Sequence, residues 1–236
     1  MNGASKVVSG TTTKAVGKKS ASSSRPQRNE KGWQAEKSAL TRTAILEATI
    51  KCLLELGYAN TTTALIANYA GLSRGAMMQH FPSRMSVMKA VVDCLHVLRL
   101  SEYREVMADI DDPNRKLTLK AINESVEAAW HYVNVPSFLA YQELLSASRT
   151  DAELRHIIEP VEKDFEKQFL DTAKAVFPHW KNLAGLEAAH DLVQFLMKGM
   201  ALSHMSVRKK VRAKHVMTYL SEILYNIYND ADLIEK

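Results

Sequence analysis

Two helix starts with one glycine between them constrain this chain more than any other feature. Thr62 and Ser73 stand where a side-chain hydroxyl can accept from the free amides of a following first turn. Gly71 lies between them, where a helix commonly ends on a left-handed residue. Ile66 and Ala70 are one helical turn apart before it, and Met77 and Phe81 one turn apart after it, so each short helix turns an apolar side to a common interior. Arg74, Gly75, Met78 and Gln79 are left on the outer side of the second helix. That pattern is a helix-turn-helix, an arrangement whose second helix can lie in the major groove of DNA.

The flanks support the same reading. A preceding helix over about 35–56 carries Ile45, Ala48, Thr49, Cys52, Leu53 and Leu56 as one inward stripe, and Gly57 closes it. After Pro82 a longer helix runs from about Ser83 to Ala108, with Val87, Val91, Cys94, Leu95 and Leu98 on its inner face. On the reading helix, Arg74 suits guanine O6 and N7, and Gln79 suits adenine N6 and N7. Gly75 and Ala76 are small enough for the backbone to come close to the groove edge. Thr63, Ser73 and His80 suit phosphate oxygens; packing beside Phe81 is the other reading of His80. Arg42, off the stripe, is either a phosphate contact or a solvated side chain.

Charge follows the same division. Residues 1–30 carry a net +5, residues 31–100 carry +4 and residues 101–236 carry −4. The positive part coincides with the helix-turn-helix, as phosphate binding requires. The first residues, rich in Ser, Thr, Gly and Lys, read as a disordered leader. Lys14, Lys18, Lys19, Arg25 and Arg28 either add non-specific attraction to DNA or make no specific contact. With 46% apolar residues, 9 Gly and 6 Pro, the composition is that of a helical globular chain. No run reaches the roughly 18 apolar residues of a membrane span, and no secretory signal is visible. Cys52 and Cys94 fit a reduced compartment and read as buried thiols, with a redox role for Cys94 the minor alternative. No phosphate loop, nucleophile elbow or metal-ligand spacing points to an enzyme, a cofactor or a metal.

The second half predicts helices only. Asp111-Asp112-Pro113-Asn114 is a turn, helices follow over about 115–132 and 137–147, and Thr150-Asp151-Ala152-Glu153 reads as a capping box opening another. Pro160 is expected to kink or split that helix near Ile158-Glu159, and Phe177-Pro178 to end it. Two last helices, about 183–207 and 213–229, are apolar over much of their circumference, as suits burial against the domain on one side and a twin chain on the other. His190, His204 and His215 there read as surface or interface residues. Trp130, Tyr132, Phe138, Tyr141, Phe165 and Phe169 are candidate walls for a small-molecule pocket, with His131 and Glu143 as polar handles; each aromatic could equally be core.

The run Leu56-Gly57-Tyr58, the Thr62 cap, Ile66-Ala67, Ala70-Gly71-Leu72-Ser73-Arg74-Gly75 and His80-Phe81-Pro82-Ser83-Arg84 resembles the N-terminal domain of the tetracycline-repressor (TetR) family of bacterial transcription regulators. The resemblance covers about residues 39–99, with the motif at about 62–81. It implies an all-α chain: a basic leader over 1–34, an N-terminal three-helix DNA-binding domain, and a larger helical effector-binding and dimerisation domain over 100–236. It implies a cytoplasmic bacterial regulator, most often a repressor, nucleoid-associated when bound. Such a regulator forms a homodimer through its last two helices and binds a palindromic operator in double-stranded DNA, released by a small-molecule effector. The DNA-binding positions are then Arg42, Thr62, Thr63, Ser73, Arg74, Gly75, Ala76, Met78, Gln79, His80 and Arg84. The pattern departs from the family at Met78, where a phosphate-touching Tyr is usual, at Arg84, where Lys is usual, and at Met85, where an acid is common. The rival reading is a helical lipid- or protein-binding module of the same fold that lacks specific DNA recognition.

Overall fold

Helix is the only regular structure among the described residues. A computed structural model describes residues 30–108, 118–176, 186–203 and 209–229. The helices are α1 (Glu30–Asn60), α2 (Thr63–Tyr69), α3 (Arg74–His80), α4 (Arg84–Ala108), α5 (Leu119–Tyr132), α6 (Pro136–Ser148), α7 (Ala152–Val176), α8 (Leu186–Leu202) and α9 (Lys209–Asn229). The all-α class is as the sequence predicts. The leader up to residue 29, the turn at 111–114, the stop at Phe177-Pro178 and His204 lie outside the described residues.

Helix α1 begins at Glu30, five residues before the periodicity indicated, and takes in the end of the segment read as leader. Its regular course breaks at Gly57, where φ is 76° and ψ is 167°. That conformation is essentially confined to glycine. A Cβ there would also lie 3.0 Å from Oε1 of Glu143 on α6. Gly57 is therefore needed twice, for its backbone angle and for the approach of a neighbouring side chain.

Two cores result. Ile45, Cys52 and Leu53 of α1, Ile66 of α2, Met77 of α3 and Val87, Val91 and Leu95 of α4 form the first. It does not stop at the end of the reading head: Tyr141 and Leu144 of α6 and Leu154 and Ile158 of α7 belong to the same cluster. The second holds Tyr103, Ile122, Tyr132, Phe138, Phe165 and Phe169, together with Met197 of α8 and Leu220 of α9. Helix α4 packs along α7, α6 against both, and α5 against α9.

Four local readings change. Of the kink or split expected at Pro160, the split does not occur: the proline lies inside α7. Leu154, Ile158, Phe165 and Phe169 anchor one face of the helix, while His156, whose carbonyl loses a donor to the proline, is exposed to solvent. The cap of α7 is Asp151, not Thr150: Asp151 Oδ1 accepts from the Leu154 amide at 3.0 Å, and the Thr150 hydroxyl donates to the Ala147 carbonyl. Leu98 is 39% exposed, and the inner stripe of α4 continues instead through Arg99, which is 1% exposed. His190, read as a surface or interface residue, is half-buried within its own chain, its ring 4.7 Å from that of Phe169. Burial raises the thiol pKa of both Cys52 and Cys94 above the ordinary value.

Candidate nucleic-acid interface and a buried aromatic cluster

The turn between α2 and α3 is closed by backbone alone. Thr62 Oγ1 accepts from the Leu65 amide at 3.3 Å and starts α2. At its end the Leu72 amide donates to the Ala67 carbonyl at 2.8 Å and the Gly71 amide to the Asn68 carbonyl at 3.1 Å, with Gly71 at φ 67°. This is the paired closure that a left-handed glycine allows. Ser73 Oγ then accepts from the Ala76 amide at 3.1 Å and starts α3. Met77 and Phe81, 0% and 2% exposed, pin α3 to the first core and fix which side looks out.

On that outer side Arg74, Gly75 and Gln79 are exposed, and Ala76, Met78 and His80 half-buried; Ser73 and Thr62 are exposed and Thr63 half-buried beside them. A Cβ at Gly75 would come no nearer than 4.0 Å to any other group, so the fold itself does not require a glycine there. Arg42 spans α1 and α3: Nη1 donates to the His80 carbonyl at 3.1 Å and the guanidinium stands 4.3 Å over the Phe81 ring. It steadies the end of α3 while remaining exposed.

Arg84 does something the sequence did not indicate. Its Nε donates to the Thr61 carbonyl at 2.8 Å and its Nη2 to the Tyr58 carbonyl at 2.6 Å, with the guanidinium 4.0 Å over the Tyr58 ring. Tyr58 lies in the last turn of α1 and its carbonyl also accepts from the Thr61 amide at 3.2 Å, while the Thr61 carbonyl lies just beyond the helix. Arg84 thus works as a brace between α1 and α4. Tyr58 is the other half of that joint. Its amide donates to Glu143 at 2.7 Å and its hydroxyl to Asp151 Oδ2 at 2.6 Å, tying the head to α6 and to the start of α7. Glu143, expected as a handle in a pocket, is spent here. The Leu154 amide and then the Tyr58 hydroxyl hold the Asp151 carboxyl below the usual carboxylate range.

Five of the six aromatic residues expected to wall a ligand pocket come together. Phe165 and Phe169 stack at 5.8 Å, and Tyr132 meets Phe138 edge-on at 5.4 Å. Tyr103, unnoticed in the sequence, joins Phe169 at 4.0 Å and Tyr132 at 5.5 Å. Tyr141 completes the group across a buried Arg99. Trp130 is half-buried and packs at the edge of the second core. His131 is exposed. Burial pushes the Tyr132 phenol up to about 12 and the Tyr103 and Tyr141 phenols higher still. Arg99 itself was legible only as a position: 87, 91, 95, 99 and 103 fall on one stripe of α4, and the residue type conceals it.

Comparison with known proteins falls on the reading head first. Residues 45–91 match the family model of bacterial regulatory proteins, tetR family. The chain is 26% identical over 145 residues to an uncharacterized HTH-type transcriptional regulator of Mycobacterium tuberculosis, covering 61% of this chain and 71% of that one. It is 36% identical over 95 residues to the HTH-type transcriptional regulator TtgR of Pseudomonas putida, covering 39% of this chain and 45% of that protein. In fold it is similar to a TetR-family regulator from Mesorhizobium loti, with a TM-score of 0.62 over 80% of this chain and 96% of the other at 14% identity.

Proposed function

Because this chain belongs to the tetR family of DNA-binding transcriptional regulators, we propose that it is a dimeric repressor whose hold on a palindromic operator is loosened by a small molecule. One observation carries the DNA side. Arg74 and Gln79 make no hydrogen bond or ion pair to the chain among the described residues, next to a glycine the fold does not need. Side chains so placed are free to read base edges, with Ala76 giving close approach. Thr62, Thr63, Ser73 and His80 surround them as phosphate ligands. Met78 adds apolar contact only, since a thioether has no proton to donate. Arg42 reaches a phosphate while holding α3, and Arg84 acts by bracing the head.

The dimer is supported by α8 and α9. Leu192, Phe195 and Leu202 stand out along one side of α8 at 41%, 68% and 49% exposure, and Tyr219 and Ile223 on α9 at 67% and 48%. Gly199 lies on the same side of α8, with nothing within 4 Å of where its Cβ would be. A second copy covering this side buries the apolar surface and sets two reading helices roughly one DNA turn, ~34 Å, apart. Among the described residues no helix is long and apolar enough to cross a membrane. We place the protein on DNA in the cytoplasm.

The test is selection from random duplex DNA by the full chain at a stated salt concentration, since protein–DNA affinity changes steeply with salt. A palindrome is expected, with Arg74→Ala and Gln79→Ala each losing discrimination at one base pair per half-site by about 1–3 kcal/mol. Salt-steep binding with no preferred sequence would sink the operator reading. The effector part fails separately if no ligand of the C-terminal helices changes operator affinity by the roughly 5- to 150-fold typical of coupled sites.

A further inference from the structure

The outer side of α3 carries two side chains that can hydrogen-bond a base edge and one that cannot. Residues three and four apart share a helix face, so Gly75, Met78 and Gln79 lie together, with Arg74 one turn before Met78. Met78 is half-buried. Leu72 and Met85, half-buried before and after α3, pack against the first core to which Met77 belongs, and Met78 takes no part in that packing. A long helical side chain leans back over the residues three and four before it. For Met78 those residues are Gly75 and Arg74.

Gly75 leaves room beneath it. A Cβ there would meet nothing nearer than 4.0 Å, so the fold does not exclude a larger residue. Glycine also weakens a helix relative to alanine. The bare Cα of Gly75 and the thioether of Met78 therefore form an apolar stretch flanked by Arg74 and Gln79. A thioether has no proton to give to a phosphate or to a base acceptor, and its soft, flexible chain adapts to the shape it meets. Most groups on the major-groove edges of the bases are hydrogen-bond donors or acceptors. The C5-methyl of thymine is the apolar group that stands out among them.

We propose that Gly75 and Met78 form an apolar slot that recognises the 5-methyl group of a thymine in each operator half-site, beside the bases read by Arg74 and Gln79. The proposal rests on the operator reading above and adds to it a base and the residue that selects it. No donor or acceptor is involved, so this recognition is separable from that of Arg74 and Gln79.

The experiment takes the full chain and the palindrome recovered by selection, with deoxyuridine replacing thymidine one position at a time. Deoxyuridine keeps every hydrogen-bonding group of thymine and lacks only the methyl. At one position per half-site the replacement is expected to weaken binding about fourfold, and about fifteenfold when made in both half-sites, as loss of one buried methyl should. In Met78→Ala and Met78→Gln the same replacement should cost nothing, while Met78→Leu should keep most of the effect. Gly75→Ala should reduce it without loss of thermal stability. Each variant is compared with itself on two DNAs, so a general loss of affinity or of folded protein cancels. A palindrome at which the wild-type chain is insensitive to the methyl at every position overturns the proposal and leaves the operator reading standing. Sensitivity that persists unchanged in Met78→Ala overturns it too, by assigning the methyl to another residue. Selection that yields no preferred sequence overturns the operator reading and this slot together.

Discussion

Substitution of Gly57 by alanine tests the joint between the head and the helices behind it. Two costs add. The backbone at φ 76°, ψ 167° lies in a region essentially reserved for glycine, which costs an alanine about 1–3 kcal/mol. Its Cβ would also press on Glu143 Oε1 at 3.0 Å. That oxygen is the acceptor for the Tyr58 amide at 2.7 Å, and loosening a hydrogen bond to a charged group costs about 1–2 kcal/mol more. The sum, about 2–5 kcal/mol, corresponds to a fall in Tm of roughly 5–15 °C for a chain of this size. Gly71 is the internal control. It has φ 67° but nothing within 4 Å of its Cβ position, so alanine there costs only the left-handed strain, about 1–2 kcal/mol. Asparagine separates the two further. It tolerates the left-handed region at Gly71 and should be nearly neutral, but gains nothing at Gly57. Thermal unfolding followed by circular dichroism reads all four variants. Equal losses at the two glycines, or rescue of position 57 by asparagine, would refute the account of the joint.

Arg84→Lys keeps the charge but cannot hold both the Thr61 and Tyr58 carbonyls; about 1–2 kcal/mol of stability should go. The salt slope of DNA binding should stay the same, and a slope reduced by about one would show a phosphate contact instead. The Asp151 carboxyl is held below its ordinary value in the folded chain. Its contribution is therefore present above the unfolded carboxyl value, near about 4, and is lost as pH falls through the lower folded value. Urea midpoints measured down through that range should flatten in Asp151→Asn, which keeps a capping oxygen but not the titration. Phe195→Glu places a charge on the exposed side of α8; sedimentation should show monomers, and operator affinity should fall with them.

What the sequence made legible was local. Thr62, Gly71 and Ser73 act through bonds within four residues of themselves, so spacing alone exposed the α2–α3 turn, and Met77 with Phe81 then settled its orientation. The aromatic residues of the second core could be gathered as a group because large rings are usually buried. Contacts between distant segments were not legible. The Arg84 brace closes across 23 and 26 residues and the Tyr58–Asp151 bond across 93, and nothing in spacing announces such pairs. Arg99 was hidden by its own chemistry, since a charged residue on a stripe reads as the end of the stripe. Thr150 and Asp151 compete for one cap, and only the geometry of the following turn decides between them. At Pro160 the helix continues instead of splitting, with Ile158 and Phe165 buried on either side of the proline.

The first core has a consequence for anyone who would engineer this regulator. Tyr141, Leu144, Leu154 and Ile158 belong to the same interior as the α1–α4 head. Cutting after residue 99 would take Tyr141, Leu144, Leu154 and Ile158 out of that interior and strip Tyr58 of Glu143 and Asp151. The head is not a detachable cassette. A chimera that joins it to another sensor domain must carry the facing stretches of α6 and α7 along with it, so the unit of exchange is spatial and discontinuous in the chain.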